Sequence, residues 1–245
     1  MMILLALLVV LSQPQQVSSE AIVNNLIFAQ SIEQKEPKLA FTIRNKAVRS
    51  AFDISTGQRT EALNKALLAE LVRTTAQMKF GRRQFQGESE GEYHLTLISA
   101  VADWKNPLII PALVDCLGTG GTAMHTLANF GESAFIQVHT VATKSSEFNV
   151  LQGALLTLDL MIEKSTINQY HRTQLEELAW LRLSKSSGGV GPLSAAARLA
   201  VSTGNPLLRA RVVELSNNPQ KLDEIGLRDK TEQRLFQNIA NDALK

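Results

Sequence analysis

The chain has 245 residues, 44% of them hydrophobic, 20% charged and only 5% aromatic, and 25 Lys and Arg face 23 Asp and Glu for a formal charge of +2. This is too much apolar mass and too little net charge for a disordered tail, and too little positive charge to hold a polyanion by bulk electrostatics. One cysteine, Cys116, excludes a disulfide framework within the chain.

Residues 1–11 are unbroken apolar, 12–16 are polar, and Val17-Ser18-Ser19-Glu20-Ala21 follows. Eleven residues rise about 16 Å as a helix, against a hydrocarbon core of ~30 Å. The pattern therefore predicts a secretory signal peptide over 1–19 rather than a spanning helix. Val17 and Ser19 fit the −3 and −1 positions for cleavage after Ser19, and Ala21 is a second possible end. No Lys or Arg precedes the run, so only the amino terminus supplies positive charge. The competing reading is a buried N-terminal helix. Export predicts a secreted or periplasmic protein with no stable membrane insertion after cleavage.

Residues 20–245 are expected to form a single all-α domain, because apolar residues recur at three and four and no hairpin turn signals occur. Thr60 is placed to cap a helix carrying Leu63, Leu67, Leu71 and Met78, which ends near Gly81. The polar, Gly-containing stretch 82–92 is the longest expected loop, and a helix follows over 93–102. Pro107 suits the first turn of a helix over 108–117, with Gly118 as a left-handed C-cap. Further helices are predicted over 123–130, 134–143, 148–163, 167–183, 192–202 and 207–215.

Two stretches repeat one another. Leu97-Ile98-Ser99-Ala100-Val101-Ala102-Asp103-Trp104-Lys105-Asn106-Pro107-Leu108-Ile109 is echoed by Ala196-Ala197-Arg198-Leu199-Ala200-Val201-Ser202-Thr203-Gly204-Asn205-Pro206-Leu207-Leu208. A period in the thirties fits three steps between them, which is the mark of an α-solenoid of antiparallel helix pairs. The turn and helix from Asp103 to Leu113 resemble those of a HEAT repeat, and Leu127-Ala128-Asn129-Phe130-Gly131-Glu132-Ser133-Ala134 is similar to the end of the other HEAT helix. The resemblance spans 93–216, with capping helices expected over 38–80 and 219–244. This sequence lacks the regular Asp and Arg of every HEAT turn. An irregular helical bundle is the alternative.

Candidate chemistry is sparse. Gly87-Glu88-Ser89-Glu90-Gly91 matches the nucleophile-elbow pattern, yet the residues before it are too polar for the strand an elbow needs, and two glutamates would oppose an oxyanion. Gly118-Thr119-Gly120-Gly121-Thr122 lacks the Lys of a phosphate loop. His94, His125, His139 and His171 show no zinc spacing, although His125 and His139 lie within reach across one helix pair. Cys116, on an apolar helix, reads as a buried thiol without a placed His partner. Two basic clusters, 44–49 and 79–85, offer phosphate or acidic-partner contacts, but near-zero net charge and an export signal speak against nucleic acid.

The resemblance implies a scaffold or adaptor that binds a protein partner, with no cofactor and no catalysis. Trp104, Lys105, Arg82 and Arg83 are the expected contact residues. Trp180 on its helix is the other aromatic that marks an interface if exposed. The alternative is a hydrolase using Ser89 in the 82–92 loop.

Overall fold

The computed structural model describes residues 18–79, 88–186 and 189–245. Among these the fold is all-α and 80% helical, with thirteen α-helices, two 3-10 turns and no strand. No described helix is long and apolar enough to cross a membrane. The chain divides into two compact units, one ending at Glu70 and one beginning at Leu71.

The first unit holds α1 (Ser19–Ile32), α2 (Pro37–Phe52), a 3-10 turn at Thr56–Gln58 and the start of α3 (Glu61–Lys79). Ser18 caps α1, its Oγ accepting from the Ala21 N–H at 3.1 Å. Ile22, Leu26 and Ala29 of α1 are buried, as are Ala40, Ala47, Val48 and Ala51 of α2, and the two helices pack together. Small side chains on α2 permit that close approach. Helix α1 goes beyond the sequence expectation, which began its helices at 38. Its apolar residues do not form one stripe: Ile27 and Phe28 are exposed while Ile22 and Leu26 are buried, so periodicity is faint. Thr60 caps α3 as expected, accepting from Leu63 N at 3.2 Å, and its own N–H donates to Ser19 Oγ at 3.3 Å.

Arg44 belongs to the basic cluster 44–49 but turns inward. Its Nη2 lies 2.8 Å from Glu33 Oε2 and its Nε 3.7 Å from Glu70 Oε1, with the side chain buried. A buried guanidinium needs such carboxylates, because desolvating an uncompensated charge costs several kcal/mol. Arg44 is therefore committed to the fold and not available to an outside anion.

The second unit contains α4 (Glu88–Ala102), a 3-10 turn (Pro107–Ile109), α5 (Ile110–Asp115), α6 (Gly121–Phe130), α7 (Glu132–Lys144), α8 (Phe148–Glu163) and α9 (Gln169–Ser184). It closes with α10 (Val190–Ser202), α11 (Pro206–Asn217), α12 (Pro219–Glu224) and α13 (Lys230–Ala243). Its contacts follow a regular rule. Helices α4, α6, α8, α10 and α13 touch in succession and form one row. Helices α5, α7, α9, α11 and α12 touch in succession and form a second. Chain neighbours such as α7 and α8, or α9 and α10, join the rows. The middle of the first row is the core. Leu151, Ala154, Leu155 and Leu158 of α8 and Leu193, Ala195, Ala196, Ala197, Leu199 and Ala200 of α10 are all buried. Five alanines across two facing helices bring the backbones close, and each buried Leu contributes ~1.5–3 kcal/mol.

Every turn from the first row into the second contains one residue with left-handed backbone: Lys105 (φ 54°), Gly131 (φ 51°), Ser165 (φ 54°) and Gly204 (φ 77°). The two Asn-Pro turns agree in detail. Asn106 Oδ1 accepts from Leu108 N at 3.0 Å, and Asn205 Oδ1 accepts from Leu207 N at 2.9 Å and Leu208 N at 3.4 Å. The sequence echo is thus a repeated turn, with Asn as cap and Pro in the first helical turn.

Several expected boundaries shift. Helix α4 begins at Glu88, so 88–92 is helix rather than loop, and 80–87 lie outside the described residues. The helix expected over 108–117 is a 3-10 turn followed by the short α5. Pro111, with no N–H to give, stands at its start. Gly118 is not left-handed. It sits against α8, where an added Cβ would lie 3.2 Å from Val150 Cγ2. The 219–244 segment is two helices, α12 and α13, the latter capped by Asp229 Oδ1 accepting from Thr231 N and Glu232 N.

Candidate functional site

The exposed large apolar side chains of the second unit concentrate along the second row. Leu108 precedes α5, Ile136 is on α7, Tyr170, Trp180 and Leu181 are on α9, and Leu207 and Val213 are on α11. Among the described residues the first row exposes only Leu95, Phe148 and Leu235, and the end of α3 exposes Val72. Between α9 and the start of α11 these residues border a groove of about 410 Å³, lined by Glu176, Glu177, Trp180, Asn205, Leu207 and Leu208.

The repeated turn builds this groove. Gly204 takes the left-handed conformation, Asn205 caps, and Pro206 fixes the first turn of α11. Leu208 then points into the core at 2% exposure while its neighbour Leu207 is 72% exposed. Asn205 also reaches across to α9, its Nδ2 donating to Glu176 Oε2 at 2.7 Å. Trp180, one turn on from Glu176, is 51% exposed and forms the opposite wall.

A second hollow of about 410 Å³ is lined by Glu163, Arg198, Val201, Ser202, Ile239, Asp242 and Ala243. Arg198 Nε and Nη2 both lie 3.2 Å from Asp159 Oδ2, and Nη2 is 3.6 Å from Glu163 Oε1. Burial pushes the Asp159 carboxyl up from its ordinary range, and the Arg198 guanidinium opposes that rise. The pair ties α8 to α10 and leaves its cation already satisfied.

Two groupings of side chains come from tertiary structure alone. Cys116 is fully buried, as expected. Thr75 Oγ1 stands 3.5 Å from its Sγ and 3.1 Å from His94 Nε2, so the fold supplies a His one hydroxyl away from the thiol. Cys116 and His94 have exposures of 0% and 1%, so both are closed off from solvent. Burial holds the His94 imidazole below its usual pKa. His139 does not pair with His125 around this helix pair. It stacks on Phe135 (5.4 Å between centroids), whose ring also stacks on His171 at 3.8 Å. His171 Nδ1 in turn lies 2.7 Å from Glu132 Oε2, a close approach outside the line of a hydrogen bond. Glu132 Oε1 accepts from Asn168 N at 2.5 Å, so this carboxylate joins the α6–α7 turn to the α8–α9 turn. Among the described residues no group of three His, Cys, Asp or Glu is placed to hold a metal ion.

Of the residues singled out from the sequence, Trp104 is half-buried in the turn before α5 and Lys105 beside it is exposed. Arg82 and Arg83 lie outside the described residues. The backbone of Ser89 is in the first turn of α4, and its side chain also lies outside them. Trp180 and Leu207 line the groove. Sequence reasoning left Leu207 out because an Asn-Pro-Leu-Leu turn does not show which Leu faces inward. No protein-family model matches this chain, and no curated protein or solved structure matches it.

Proposed function

We propose that this chain is an exported, HEAT-like α-solenoid of antiparallel helix pairs, and that it acts as a scaffold or adaptor binding a protein partner through its second helix row. The two-row succession of contacts supports the solenoid reading, since each helix of the second unit meets the next helix of its own row, and chain neighbours such as α7 and α8 or α9 and α10 tie the rows together. The observation that carries the binding role is the concentration of exposed Ile136, Trp180, Leu181 and Leu207 on that one row. Exposed apolar side chains gathered on one face mark interaction surfaces more than scattered ones do. Trp104 and Lys105 stand in the turn that leads into the same row. No cofactor enters the reading, and catalysis is not part of it.

The test is photo-cross-linking in the source cells, with a photoreactive amino acid placed in turn at Ile136, Trp180, Leu207, Leu95 and Leu235. Discrete adducts with another protein are expected from Ile136, Trp180 and Leu207 but not from Leu95 or Leu235. Adducts from none of the first three would refute the binding role. Recovery of the chain from the cytoplasm with residues 1–19 intact would refute the export.

A further inference from the structure

Resting on the scaffold reading, we infer that the groove between α9 and α11 takes a basic amphipathic segment of the partner, with an apolar side chain inside it and a Lys or Arg at its rim. The interior of the groove is apolar, built from Trp180, Leu207 and the edge of Leu208, while Glu176 and Glu177 stand along one side. Neither glutamate has a Lys or Arg ion-pair partner among the described residues, and the one imidazole that Glu177 faces, His139, has its pKa lowered mainly by burial. Glu176 receives only the neutral amide of Asn205, at 2.7 Å.

The arginines of α9 and α11 are committed elsewhere. Arg172 Nη2 donates to Ile162 O at 3.5 Å, and Arg182 donates to Ala142 O and Thr143 O. Arg209 donates to Leu244 O, and Arg211 pairs with Glu214 at 2.6 Å. The rim therefore carries two carboxylates with no guanidinium or ammonium held on them, beside an exposed indole. A partner cation there gains two carboxylates and the electron-rich face of Trp180, and its aliphatic stem covers Leu207. An acidic segment would meet like charge on the rim and gain none of this.

The test uses the whole chain labelled with 5-fluorotryptophan, which gives one fluorine resonance from Trp104 and one from Trp180, assigned with Trp180→Phe. The probe is an amphipathic peptide of leucine and lysine, and the control has the same pattern with glutamate for lysine. The lysine peptide is expected to shift the Trp180 resonance saturably and leave that of Trp104 in place, while the glutamate peptide shifts neither. Glu176→Gln/Glu177→Gln should weaken lysine-peptide binding roughly tenfold at low salt, as two exposed ion pairs allow. These substitutions keep the size of the side chains and the Asn205 contact, so folding is preserved, as the unshifted Trp104 line reports. Equal shifts by both peptides, wild-type binding by the double variant, or a shift at Trp104 alone overturns the inference. Cross-links from Trp180 and Leu207 without any lysine-peptide shift would overturn it too, while leaving the scaffold reading standing.

Discussion

A single methyl group at Gly131 would have to occupy the space of a neighbouring turn. An added Cβ there lies 2.2 Å from Thr166 O, and the backbone is left-handed at φ 51°. At Gly204 the backbone is left-handed as well, but nothing lies within 4 Å of an added Cβ. The two positions separate strain from collision. Gly204→Ala is expected to cost about 1 kcal/mol for the φ alone, whereas Gly131→Ala adds an overpacking term and should cost about 3 kcal/mol or more. Urea denaturation of both variants checks this, and equal losses would show that the Thr166 turn yields freely. His94 makes a second residue-scale case. Its folded pKa lies below the ordinary value, so as pH falls through about 6.5 the unfolded chain takes up the proton first. Stability should therefore fall with pH from about 6.5 downwards until the folded-state pKa is reached, by at most about 1.4 kcal/mol per pH unit for this histidine. His139 is lowered too, mainly by burial, and adds to the slope. His94→Gln should flatten the dependence of the urea midpoint between pH 7 and 5.5, and an unchanged slope would remove His94 as its source.

Between helices, polar side chains satisfy the ends that helices leave open. Arg182 on α9 donates from Nε to Ala142 O at 3.0 Å and from Nη2 to Thr143 O at 2.9 Å, closing the C-terminus of α7. A cation at that end also faces the negative pole of the helix. Arg182→Met keeps much of the stem but leaves those carbonyls unpaired, an expected loss of about 2 kcal/mol in urea. Asn205 does similar work at an N-terminus, and Asn205→Ala should cost about 1 kcal/mol, the usual value of a cap. Loss of its amide also frees Glu176, so a smaller effect than for Asn106→Ala would argue against the cross-helix bond. At this scale α8 was legible to the residue, because leucines three and four apart lie between an acidic turn and Lys164. Helix α1 was not, since its apolar residues go round the helix. The Asn-Pro turns were legible as a repeat because the chemistry of a cap is local.

For the whole chain, far-UV circular dichroism of residues 20–245 should show a helical protein, and substantial strand signal would contradict the fold. The proposed signal cleavage would have a structural consequence at α1. Cleavage after Ser19 would remove the Ser18 cap and the Ser19 hydroxyl to which Thr60 donates. The mature chain is thus expected to begin α1 about a turn later, with a loss of about 1 kcal/mol relative to the full chain. Mass spectrometry of the chain recovered from its source cells tests for the new terminus, and amide exchange over 20–26 reads the fraying.

The sequence by itself determined that this chain is helical, that it carries one buried thiol, and that an Asn-Pro turn recurs in it. Those features depend on neighbours a few residues apart, where periodicity, capping and proline geometry act. Tertiary structure decided which faces those helices share. It set Leu208 inward and Leu207 outward, turned Arg44 into an ion pair, and brought Thr75, His94 and Cys116 together from 41 residues of chain. It also left Trp180 in the open beside two glutamates that hold no Lys or Arg. Burial and charge pairing are settled by what packs opposite, and that depends on residues far along the chain rather than on the next few.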